Sequence, residues 1–204
     1  MNLDYSIKNK LEELLFLKEF LSPEEEESFY VMVETYLKNR SSIDTFYSNL
    51  KETIHFYETI GIETKDMLHS IMLFPSIIHA NKDDLLFKYM LLFKIKKPET
   101  GLTSRNEIII NHPKDLMTGA ETIYSRIYFL SENAENYRTN DITRRKVLKT
   151  TSAEFKETYG LSKEELLQKY PLTPQIVESI INLPQNKELV QKYEENKNKP
   201  KWNA

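Results

Sequence analysis

Three stretches of this chain run from a glycine to a proline over nearly the same distance. They are GIETKDMLHSIMLFP (Gly61–Pro75), GLTSRNEIIINHP (Gly101–Pro113) and GLSKEELLQKYP (Gly160–Pro171). Each opens Gly-Ile or Gly-Leu and closes on an aromatic or His followed by Pro. Proline disfavours the αR conformation of the residue before it and has no N–H to give a helix, so Phe74, His112 and Tyr170 each predict a helix end. Glycine is a common residue just past a helix C-terminus. The chain is therefore punctuated into short helices, and its fold must be assembled from them.

The intervening segments also read as helices. Leu3, Ile7, Leu11, Leu14, Leu15, Leu17 and Leu21 fall near helical spacing and predict an opening amphipathic helix. Ser22-Pro23 predicts a second start, and Glu24 to Glu27 then complement the helix dipole. A third helix is expected from about Ser42 to Ile60, with Gly61 at its end. Thr64 is expected to cap the next helix, and Asn81 one running through Ile95. A short helix is expected from Thr103 or Ser104 to His112, and another over Ala120–Leu130. Asp141 then caps a helix expected through Lys149, and Ser152 caps a second ending at Gly160. Ser162 and Glu165 have capping-box spacing, and Thr173-Pro174 opens a helix that ends near Leu183-Pro184. The last helix is expected to run to about Glu195.

Only 4 glycines occur among 204 residues, fewer than a sheet protein with many tight turns uses. The best strand candidate, Ile108-Ile109-Ile110, is short and runs into Pro113. No stretch alternates with period two, so the chain is expected to be all-α.

The breaks fall near Ser42, Pro75, Pro113, Ser152 and Pro184, at intervals of 33, 38, 39 and 32 residues. Periods of this size are produced by stacked helix pairs, in which neighbours bury apolar faces that one pair cannot bury alone. The Gly-to-Pro ruler agrees at Pro75 and Pro113 but places its third mark at Pro171, so an irregular helical bundle stands as the alternative architecture. One α-helical repeat domain is expected over 1–195, with an acidic N-terminal helix pair over 1–40 and repeats over 41–195. Residues 196–204 (NKNKPKWNA) read as a disordered tail.

Short helix, aromatic-Pro, one turn, then a longer helix with aromatic and aliphatic residues resembles the mitochondrial transcription termination factor (mTERF) family. The residues that carry the likeness are GLSKEELLQKYP; GIETKDMLHSIMLFPSII with DDLLFKYMLLF; and IINHPKDL with ETIYSRIYFL. The resemblance covers about residues 40–185. It implies an α-solenoid whose concave, basic side binds nucleic acid. The chain departs from that pattern in being acidic overall, with a net charge of −3.

The charge is unevenly spread. Residues 1–135 carry 15 basic and 22 acidic residues, and residues 136–204 carry 13 and 9. Arg144, Arg145, Lys146 and Lys149 share one predicted helix, with Arg138 just before it. Lys94, Lys96, Lys97 and Arg126 join them if successive repeats stack in register. Such cations grip phosphates without reading bases. Tyr124, Tyr128 and Tyr137 stand near the cluster as candidate stacking platforms. The expected function is thus non-enzymatic nucleic-acid binding in transcription control. A protein–protein adaptor that docks a basic partner through the acidic N-terminal helices is the alternative.

No cofactor is expected. The chain has no Cys, which removes thiol nucleophiles and thiolate zinc sites. Phosphate-loop, dinucleotide and nucleophile-elbow patterns are missing. Glu52 with His55 and Asp66 with His69 have the spacing of di-metal carboxylate bundles, but a full site wants two Glu-x-x-His pairs and two more Glu, so a metal-dependent helical enzyme is the third reading. The opening MNLDYSIKNK has no signal-peptide pattern. The longest stretch without Lys, Arg, Asp or Glu, Met67–Asn81, falls short of the roughly 20 residues that span a bilayer. A cytoplasmic protein is expected.

Overall fold

The computed structural model describes residues 19–39, 42–92, 105–133 and 143–198. Among them every regular element is helical, and none is a strand. The expected all-α class holds, and Ile108–Ile110 lie inside a helix. The expected helix over Leu3–Leu21, except for its last three residues, and the caps at Thr103, Ser104 and Asp141 lie outside the described residues. Two compact units form, one from 1–80 with 192–204 and the other from 81–191.

In the first unit lie α1 (Pro23–Asn39), α2 (Ile43–Thr59), α3 (Thr64–Leu73) and a 3-10 turn, Pro75–His79. α2 packs on α3 and on the 3-10 turn, and α1 packs on α3. Phe46, Leu50, Ile54 and Tyr57 of α2 are buried at helical spacing against Leu68 and Ile71 of α3 and Ile77 of the turn. Each such side chain stabilises the unit by about 1.5–3 kcal/mol. The Tyr57 hydroxyl, buried with them, bonds Ser70 Oγ at 2.6 Å, and burial pushes its pKa up.

The second unit holds α4 (Lys82–Leu92), α5 (Arg105–Asn111), a 3-10 turn at Pro113–Met117 and α6 (Ala120–Glu132). A π turn at Arg145–Lys149 follows, then α7 (Ser152–Tyr159), α8 (Lys163–Lys169), α9 (Pro174–Ile181) and α10 (Pro184–Asn198). The residues of α10 from 192 onward belong to the first unit. α6 is the hub: α4, α8 and the π turn all pack on it. That position explains why nearly every residue from Thr122 to Leu130 is buried, including Ser125 and Arg126.

The aromatic-Pro junctions share one backbone shape. Phe74 sits at φ −147°, ψ 79°, His112 at φ −140°, ψ 46° and Tyr170 at φ −126°, ψ 67°. Each N–H closes the helix behind it, on Ser70 O, Ile108 O and Leu166 O. After Phe74 and His112 the same bonds follow in register, Ile77 N–H to Phe74 O and Asp115 N–H to His112 O. The next long helix starts seven residues after each of those prolines, at Lys82 and Ala120. Together with Ile43 of α2, these starts are 39 and 38 residues apart.

Most predicted caps stand where expected. Ser42 Oγ accepts from Thr45 N–H, and Ser162 forms its capping box with Glu165. Two differ. Thr151, not Ser152, is the N-cap of α7, in a capping box with Glu154. Glu63 precedes α3, and Thr64 is its first helical residue. Among the described residues two glycines have positive φ, Gly61 at 73° and Gly160 at 76°; they lie just beyond α2 and α7, and an added Cβ at either meets nothing within 4 Å. The left-handed backbone alone then sets the cost of a side chain. Gly160→Ala should lower stability by about 1–2 kcal/mol. Gly119→Ala, at an ordinary φ of −62° and equally unobstructed, should stay within about 0.5 kcal/mol. Urea unfolding of the two variants checks the contrast.

Candidate nucleic-acid interface

Nine cations were singled out from the sequence, and five of them lie within the described residues. Lys94, Lys96, Lys97 and Arg138 fall outside. Of the five, Arg126 is 3% exposed. Its guanidinium Nη1 donates to Val147 O at 2.9 Å and to Thr150 O at 2.7 Å, and the group lies 5.0 Å from the Phe155 ring centroid. Burial pulls its pKa below the ordinary Arg value. Its expected place on a surface is therefore corrected: the side chain is interior.

Arg144 is also engaged. Its Nε and Nη2 donate to Asp115 Oδ2 at 2.8 and 2.5 Å, joining the π turn to the preceding 3-10 turn. The sequence held no local mark for this pair, whose members are 29 residues apart. Arg145 and Lys149 are exposed and Lys146 is half-buried. Arg145 lies near enough to Glu154 to help lower its carboxyl pKa, after the hydrogen bonds from Thr151. The cations that remain turned to water are thus Arg145, Lys146 and Lys149, all on one π turn.

The expected stacking platform is altered too. Tyr124 is buried, its ring 4.3 Å from that of Tyr128, and burial together with Tyr128 pushes its pKa up to about 12. With Met90, Leu91, Ile127, Ile180 and Leu183 the two tyrosines line a small apolar crevice. Tyr137 lies outside the described residues.

His55 is buried with Nδ1 3.4 Å from Glu58 Oε2, so its neighbouring carboxylate is Glu58. Among the described residues no three His, Asp or Glu side chains converge as metal ligands. Also among them, no helix is long and apolar enough to cross a membrane.

No protein-family model matches the chain, and neither does any curated protein or solved structure.

His112, beside this cluster, offers a pH test. Burial first, then Arg144 and Lys149, hold its pKa below the usual imidazole value of 6.5, against the opposing pull of Asp115 and Glu107. A lowered folded pKa means that the unfolded chain binds the proton more readily, so this group costs stability as pH falls through about 6.5. His112→Gln should lose less stability than the parent between pH 7.5 and 5.5, as read by urea midpoints at each pH.

Proposed function

We propose that the chain is a non-enzymatic helical-repeat protein, arranged as the mTERF resemblance implies, that holds nucleic acid in the cytoplasm with a role in transcription control. One observation carries the reading. The element order of the resemblance, short helix, aromatic-Pro, 3-10 turn, longer helix, recurs at Phe74-Pro75 and His112-Pro113 with matching backbone angles and the same seven-residue step. The unit that holds the candidate cations has 17 basic and 15 acidic residues over 81–191, while the rest of the chain has 11 and 16. The contacts proposed are to phosphates, from Arg145, Lys146 and Lys149, and not to base edges. Binding should therefore be indifferent to sequence and strongly weakened by salt.

One observation favours the adaptor reading instead. Glu24, Glu27 and Val31 are exposed on one outward face of α1. The dipole argument covers only the first turn, and like charges three or four apart cost a helix stability. On that reading the face receives a basic partner with an apolar side chain.

Duplex DNA, single-stranded DNA and RNA titrated at several salt concentrations separate the two. Three phosphate contacts give a slope of log K against log salt of about −3 on duplex. The triple change Arg145→Glu, Lys146→Glu and Lys149→Glu should abolish measurable binding at 0.15 M salt. A chain that binds none of the three polymers even at 20 mM salt is not a nucleic-acid binder. Capture of a single basic protein that resists nuclease and is lost on Glu24→Lys with Glu27→Lys then supports the adaptor.

A further inference from the structure

Asn49, Lys88 and Arg126 occupy the same place, the seventh residue of α2, α4 and α6. Each reaches forward to the turn that closes its own segment of chain. Asn49 Nδ2 meets His79 Nδ1 at 2.9 Å in the turn Pro75–His79. Lys88 Nζ donates to Leu116 O at 2.9 Å in the turn Pro113–Met117 and pairs with Asp84 at 2.6 Å. Arg126 donates to Val147 O and Thr150 O in and just after the turn Arg145–Lys149. In the next helix, α7, the seventh residue is Thr158; it is too short to reach out and bonds Glu154 O of its own helix.

The turns Pro113–Met117 and Arg145–Lys149 present the same problem, whereas the Asn49 bond ends on the His79 ring. A short helical turn leaves its last carbonyls without N–H partners, and buried carbonyls need them. In and just after the π turn three carbonyls are claimed from outside. Arg126 takes Val147 O and Thr150 O, and Thr118 Oγ1 donates to Leu148 O at 3.2 Å. The positive side chain also faces the negative end of the turn's aligned peptide dipoles. This accounts for a guanidinium that is 3% exposed and has no carboxylate paired with it among the described residues.

We infer that the seventh residue of α2, α4 and α6 is the clasp that fastens the following turn, and that Arg126 is thereby a positioning residue for the cationic turn. Held by its carbonyls from the α6 side, the π turn keeps Arg145 and Lys149, two of the three cations that phosphates would meet, on the solvent side. The clasp itself stands on the hydrogen bonds; the presentation of cations to phosphate rests on the nucleic-acid reading above.

Hydrogen exchange on the full chain tests it. Arg126→Met keeps the length and apolar stem but leaves both carbonyls unpaired. Exchange at Val147 to Thr150 should speed up roughly ten- to a hundredfold, with Arg126→Lys intermediate because an ammonium can still donate but sits on a shorter stem than Nη1. Lys88→Met should instead open Asp115 to Thr118 and leave Val147 to Thr150 alone. Unchanged exchange at 147–150 in Arg126→Met overturns the clasp, and so does an acceleration spread evenly over α4, α6 and α8. The second readout is the salt slope on duplex DNA. If the parent binds, Arg126→Met should flatten the slope by about one. Faster exchange with an unaltered slope leaves the clasp standing and removes the positioning role. A parent that binds no nucleic acid removes the function, while the exchange data still decide the clasp.

Discussion

The clash between a proline ring and a helical residue before it organises this molecule. At Phe74-Pro75 and His112-Pro113 the chain is driven out of αR, and the missing proline N–H ends the preceding ladder. The backbone re-enters a tight 3-10 turn and then a new helix, each time after the same number of residues. The third closing turn shows what the proline contributes. No proline precedes Arg145, yet Ser152 begins α7 at the same seven-residue distance. There the turn is wider, with Thr150 N–H reaching back five residues to Arg145 O at 2.9 Å. Spacing therefore survives without proline, while the tightness of the turn does not.

Features set by neighbours in the chain were legible in the sequence. Ser42, Gly61, Gly160, Ser162 with Glu165, and Thr173-Pro174 act over four residues or fewer, and each stands where local chemistry placed it. Small errors came from competing hydroxyls and carboxylates of similar capping power, as at Thr151 beside Ser152. Larger ones came from pairs distant in the chain. Whether Arg126 faces water or the core depends on the π turn lying over α6, and no residue within a turn of Arg126 records that. The Arg144–Asp115 pair is hidden for the same reason.

The candidate site was legible as a run of charge and not as a surface. Of four clustered cations on 144–149, one is bound to Asp115 and three are left to solvent, one of them close to Glu154. A count of basic residues thus overstates the positive potential available to a partner. Among the described residues, the candidate cations that no carboxylate or carbonyl has already claimed form a smaller patch on one turn.

Burying a cation against carbonyls, as with Arg126, has a consequence that burying an ion pair lacks. Both charges of a pair are carried by side chains, so neutral residues of like volume can replace them together, often at little cost. A backbone carbonyl cannot be mutated away. Once the π turn exposes Val147 O and Thr150 O to the interior, some donor must stand opposite them, and only a long side chain rooted on α6 spans the gap. Lys88 meets the same demand from Leu116 O, where a single carbonyl suffices for a single ammonium. The turn thus sets a demand on the side chain beneath it: one open carbonyl is met by the Lys88 ammonium, two by a single guanidinium nitrogen, Nη1 of Arg126.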